Sequence, residues 1–267
     1  MRRLSWGWMP AIQWGFGVVL VLFMAVPVVS LFLSVTPRQF FAAFAEPVVQ
    51  DALWLSLRTS CIAILLVILF GTPLAHRLAT GASFPGRSAL EALLQVPWVT
   101  PPAVAGLALL MAFGRNGLIG SHLADWGISL PFSTAAVVVA QAFEGSAFYV
   151  QTARQAFSGV DRGLAEVSRT LGAGPWRTWL GLEIPMALPG LLTGAAMAWS
   201  RALGEFGATM LFAGNLQGVT QTMPLAIYTV LEQDVGAAVS LAIVLMVFGF
   251  GLLWALSRLR QRAIGPG

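Results

Sequence analysis

Asp161-Arg162-Gly163-Leu164-Ala165-Glu166-Val167-Ser168-Arg169-Thr170-Leu171-Gly172 opens a polar stretch that continues through Ala173-Gly174-Pro175-Trp176 and closes on Leu182-Glu183-Ile184-Pro185. Its pattern predicts a short amphipathic helix. Gly172 and Gly174 stop that helix, Pro175 restarts one, and Pro185 returns the chain to apolar sequence. Leu164, Val167, Ser168 and Leu171 form a face that can sit in a groove, while Arg162, Glu166 and Arg169 are placed to meet a soluble partner. The same composition also suits a helix lying on lipid headgroups. What surrounds the stretch decides how it is read.

On both sides the sequence is strongly apolar. Of 267 residues 57% are hydrophobic and 10% charged, against roughly 25% charged in ordinary soluble domains. Mean hydropathy is +0.79, which leaves too little polar sequence to cover a soluble core. The bilayer is the expected solvent. Apolar stretches predict six transmembrane helices, at about 12–35, 53–75, 92–113, 133–152, 186–208 and 235–257. Each is close to the roughly 20 residues that cross about 30 Å of hydrocarbon. The polar stretch then becomes one loop, 153–185, in a single all-α membrane domain over 1–267 with no C-terminal regulatory domain. The first apolar run is longer than the roughly 7 to 15 residues of a signal-peptide core, so it reads as an uncleaved first helix.

All fifteen basic residues are arginine. With the amino terminus inside, Arg2, Arg3, Arg77, Arg87, Arg154, Arg162, Arg169, Arg177, Arg258, Arg260 and Arg262 are cytoplasmic, and Arg38 and Arg115 are outside. This asymmetry satisfies the positive-inside rule and puts both termini and the 153–185 loop in the cytoplasm. The arginines lie between apolar stretches and are not interleaved with aromatics, so the pI of about 10.5 gives no case for nucleic acid. The lack of lysine excludes a P-loop and Schiff-base chemistry. HExxH, paired His, CxxC and clustered carboxylates are missing from the sequence, which therefore offers no catalytic or metal-ligating constellation. His76 and His122 read as isolated interfacial or loop residues, and Cys61 as a small packing residue.

Ionisable residues inside apolar spans are the remaining candidates. Arg58 lies near a span end, where it can snorkel. Arg201 and Glu205 are one helical turn apart, placed to form either a structural ion pair or part of an anion pathway. Glu144, beside Gln141 near mid-bilayer, is expected to pair with an arginine such as Arg201 or to hold a proton. Gly190, Gly194 and Ala198 make a small-residue stripe for close helix packing. Pro73, Pro97, Pro101 and Pro102 suggest kinks beside a cavity.

The 161–185 stretch resembles the EAA motif of ABC importer permeases, in which Glu, two small residues, three more and Gly precede an Ile-x-Leu-Pro-like end. Glu166, Gly172, Leu182, Ile184 and Pro185 fall in register. Val167 and Ser168 replace the usual alanines, and Leu182 and Ile184 are apolar substitutes. Residues 52–59, 70–75, 201–209, 213–215 and 221–228 are similar to the molybdate/tungstate branch of these permeases, with sulfate and thiosulfate permeases close by. The resemblance implies a type I ABC importer permease fold in a prokaryotic cytoplasmic (inner) membrane. It also implies two copies around one pathway, two ABC ATPase subunits that hold ATP and Mg, and an extracytoplasmic oxyanion-binding protein. No cofactor is expected in this chain. Glu166, Val167, Ser168, Arg169, Gly172, Ala173 and Pro185 are then the residues that couple to the ATPase, while Glu144, Arg201 and Glu205, by their places in the spans, are the candidates for the pathway or gate. Glu144 departs from the apolar residue expected there. The competing expectation is an ion-coupled carrier that uses Glu144 and Arg201 without any ATPase.

Overall fold

Proline and capping side chains set many of the helix starts. The computed structural model describes residues 9–81 and 83–264. α1 (Met9–Leu33) is followed by α2 (Pro37–Ala45). Before α2, the Gln39 N–H donates to the Thr36 hydroxyl and the Thr36 N–H donates to the Gln39 carboxamide, with Pro37 at the first helical position. α3 (Pro47–Thr80) continues through Pro73. Then come α4 (Arg87–Leu93), α5 (Val96–Val99), α6 (Pro102–Phe113), α7 (Gly120–Asp125) and α8 (Thr134–Ser158), the last capped by Ser133. α9 (Arg162–Thr170) and α10 (Pro175–Thr178) lead into a π turn, Trp179–Glu183, and then α11 (Ile184–Leu203). α12 (Gly207–Phe212), α13 (Met223–Leu231) and α14 (Val235–Ile264) complete the described chain.

α8 is the centre of the bundle, packed against α3 on one side and α11 on the other. Small residues permit the close approach. A Cβ on Gly145 would lie 3.0 Å from the Ala198 carbonyl oxygen, and one on Gly194 3.1 Å from Thr152 Cβ. Val67, Leu78, Tyr149, Val150, Phe157 and Leu191 fill the core between these helices, and the Tyr149 hydroxyl lies 2.6 Å from Thr72 Oγ1. Towards the start of α8, Leu109, Val137, Ala140, Ala208 and Phe212 join α6, α8 and α12. Ala43, Val49, Leu53, Met223 and Leu241 join α2, α3, α13 and α14. α1 stands apart, in contact with α14 and with no buried residue in its apolar window.

Several helix bounds differ from the expected spans. By length and composition, Ile12–Leu33, Pro47–Thr80, Pro175–Leu203 and Val235–Ala255 can each cross a membrane. Residues 92–113 are not one helix. Pro101 and Pro102 supply no N–H and push Thr100 and Pro101 into extended backbone, with ψ of 122° and 138°. α6, with 12 residues, reaches only about 18 Å at about 1.5 Å per residue. The 186–208 stretch also breaks, between Leu203 and Gly207. Conversely, α8 runs to Ser158, so the expected loop over 153–185 begins as continuous helix. α8 is long, but Gln141, Glu144, Gln151 and Arg154 lower its hydropathy.

Candidate functional site

The 161–185 region joins the end of α8 to the start of α11. Asp161 starts α9 by accepting the Gly163 N–H at 2.8 Å. Gly172 ends the turn with φ +89°, a conformation side chains other than glycine rarely adopt. The Gly172 N–H donates to the Arg169 carbonyl and the Ala173 N–H to the Ser168 carbonyl, closing the helix end. Ser168 Oγ lies 3.3 Å from Thr178 Oγ1, which ties α9 to α10. Ala165 is the buried residue of α9, while Leu164, Val167 and Leu171 are 44%, 56% and 83% exposed. Glu166 and Arg169 are also exposed, and both border a cavity of about 210 Å³ with Arg162 and Glu183. The helix therefore presents an uncovered apolar face with charges beside it.

A second arrangement lies within the bundle. Arg201 donates through Nη2 to Glu144 Oε2 at 2.7 Å and through Nη1 to Glu205 Oε2 at 3.3 Å. Glu205 falls in the break after α11 and its Oε1 accepts the Ala208 N–H at 2.7 Å, so the carboxylate also holds the start of α12. Both carboxylates are buried, whereas the Arg201 side chain keeps 32% exposure. It opens into a recess of about 490 Å³ walled by Pro97 to Pro102 and Phe148, in which Arg201 is the charged lining residue. The broken 92–113 segment thus forms a wall of the recess. The three charges sum to minus one when both carboxylates are ionised, and to zero when the pair holds one proton. Glu144 Oε1 and the Gln141 carboxamide are buried without hydrogen-bond partners.

Residues 68–265 match the family described as binding-protein-dependent transport system inner membrane component. The chain belongs to this family. It is 43% identical over 242 residues to the molybdenum transport system permease protein ModB of Mycobacterium tuberculosis, covering 91% of this chain and 89% of that one. It is 36% identical over 199 residues to the molybdate/tungstate transport system permease protein WtpB of Thermococcus kodakarensis, covering 74% and 75%. A bacterial alginate ABC transporter has the same fold, with a TM-score of 0.76 at 14% identity and full coverage of both chains. As a member of the binding-protein-dependent family, this chain is the membrane component of a transport system and not an enzyme.

Other residues sit differently from expectation. His76 is not isolated: its Nε2 lies 2.6 Å from Glu183 Oε2, and its ring packs edge-on to Phe157 at 5.1 Å. The π turn places Glu183 there, because the Ile184 N–H reaches back to Trp179. His122 lies on the six-residue helix α7. Cys61 is exposed on α3 and packs no core. Arg58 is exposed on the same helix. No sequence signal marks the His76 and Glu183 pair, since its members are 107 residues apart.

Proposed function

We propose that this chain is the permease of an ATP-driven importer for a tetrahedral oxyanion, molybdate or tungstate. The observation that carries the coupling half of this reading is the uncovered face of α9, Leu164, Val167 and Leu171, held out by the Asp161 cap and the Gly172 turn. An apolar helix face of this kind fits a groove on a soluble subunit. In this reading Glu166, Val167, Ser168, Arg169, Gly172, Ala173 and Pro185 transmit ATPase closure to α8 and α11 as a rigid body. The names of the ModB and WtpB relatives support the substrate class. Arg201 supports it chemically, as the guanidinium that lines the recess.

The full assembly has two copies of this chain in the cytoplasmic membrane of a prokaryote, each with six spans and cytoplasmic termini. Two ATPase subunits bind ATP and Mg below it, and an oxyanion-binding protein docks above. The test is purification in mild detergent, reconstitution, and uptake of labelled molybdate, tungstate and sulfate. ATP-dependent uptake of molybdate or tungstate that requires a co-purified ATPase supports the reading. Uptake driven by a proton gradient without nucleotide overturns it in favour of an ion-coupled carrier.

A further inference from the structure

Gln141, Glu144, Phe148, Gln151 and Arg154 follow one another along α8 at steps of three or four residues. They make one polar and aromatic stripe on a helix whose other faces place Val137, Ala140, Tyr149, Val150 and Phe157 in the core. In a membrane helix such a stripe faces a cavity and not lipid. Phe148, Gln151 and Arg154 of this stripe line two cavities, while Gln141 and Glu144 are fully buried. The first is the Arg201 recess, which Phe148 lines. The second, of about 200 Å³, lies further along α8, where Glu91, Gln95, Gln151 and Arg154 line it. Trp98 borders both cavities. Its ring centre lies 5.4 Å from that of Phe148 at an interplanar angle of 44°.

The second cavity has the chemistry of an anion site. Glu91 Oε1 lies 3.0 Å from Arg87 Nε and 3.1 Å from Arg154 Nη2, so one carboxylate faces two guanidinium groups and a net positive charge remains. Arg87 spends its other nitrogens on the Leu78 and Gly81 carbonyls at 2.8 and 3.1 Å. Arg154 is the guanidinium that lines the cavity, beside the carboxamides of Gln95 and Gln151. A guanidinium with neutral N–H donors suits a tetrahedral oxyanion. Ten residues of α8 separate Glu144, which holds Arg201, from Arg154, an axial distance of about 15 Å.

We propose that the Arg154 cavity is a second oxyanion station on the exit side, and that Trp98 against Phe148 is the barrier between it and Arg201. This rests on the oxyanion-import reading. Two stations separated by one barrier let each hold the ion weakly enough to release it. Trp98 lies on the four-residue helix α5, next to the extended Thr100 and Pro101. It can therefore move without unwinding a long helix.

The test uses the complete transporter in vesicles, with its ATPase and binding protein. ATP-driven molybdate uptake, ATP hydrolysis, and passive efflux of preloaded molybdate without nucleotide are all measured. Trp98→Ala is expected to raise passive efflux by about tenfold or more, and Trp98→Phe, which keeps an aromatic ring, to restore most of the barrier. Arg154→Gln is expected to lower molybdate moved per ATP by about tenfold, with partial rescue by Arg154→Lys. A Trp98→Ala transporter as tight as the wild type, or an Arg154→Gln one with unchanged molybdate per ATP, overturns the proposal. If Arg154→Gln fails to assemble, Gln95→Leu and Gln151→Leu probe the station without breaking an ion pair, and unchanged uptake in both overturns it. Failure of the import reading looks different: wild-type vesicles would then move no molybdate, tungstate or sulfate with ATP.

Discussion

Arg201 pairs with two buried carboxylates, Glu144 on α8 and Glu205 in the break after α11. Arg201→Ala would strand both, at a cost on the order of 3 kcal/mol, as for other broken buried pairs. The expected result is a lower unfolding temperature in detergent, with Arg58→Gln on the exposed side of α3 as the unchanged control. Arg201→Lys should keep much of the stability but lose uptake, because a single ammonium cannot replace the planar fork. The Arg201 and Glu205 pair was legible from four-residue spacing. Glu144 was legible only as an alternative, since it reaches Arg201 across 57 residues. His76 and Glu183 were not legible at all: the π turn that brings them together has no local sequence mark beyond Pro185.

Among the elements, α9 was the most legible, because its capping residue, apolar face and glycine stop all lie within one short stretch. Its geometry leads to two expectations. Gly172→Pro cannot adopt the observed φ of +89°, so it should leave ATP hydrolysis running while molybdate uptake falls. Leu164→Asp together with Val167→Asp places charge on the uncovered face, and should abolish co-purification of the ATPase while the permease itself remains folded. Retention of the ATPase by the double variant would remove α9 from the interface. The 92–113 stretch was read as one span because it is apolar and charge-free, with its prolines read as kinks; at Pro101 and Pro102 backbone sterics break the helix outright. Hydropathy reports what lipid tolerates; it does not report whether a helix is continuous.

At the scale of the whole molecule, the all-helical membrane architecture was clear from composition, while the number of continuous crossing helices was not. α8 explains the difference. It is long enough to cross and lies at the centre of the bundle, but its polar stripe makes it too hydrophilic to be recognised by apolarity alone. The assembly proposed here predicts a particle with two permeases and two ATPases, measurable by native mass spectrometry in detergent. A particle with one permease would refute the paired pathway. Within each permease, Gly194→Leu should prevent assembly, since even a Cβ at Gly194 comes within 3.1 Å of Thr152. Recovery of normal amounts of that variant in the membrane would show that the contact between α8 and α11 can relax.

Cys61 is the sole thiol of the 267 residues and is exposed on α3. These 267 residues thus already offer a single labelling site. A lipid-soluble maleimide should reach it, and a charged one should not. If two copies assemble, each supplies one spin label, and their dipolar coupling reports a single distance. Followed through the ATP cycle, that distance becomes a ruler for how far the two halves separate.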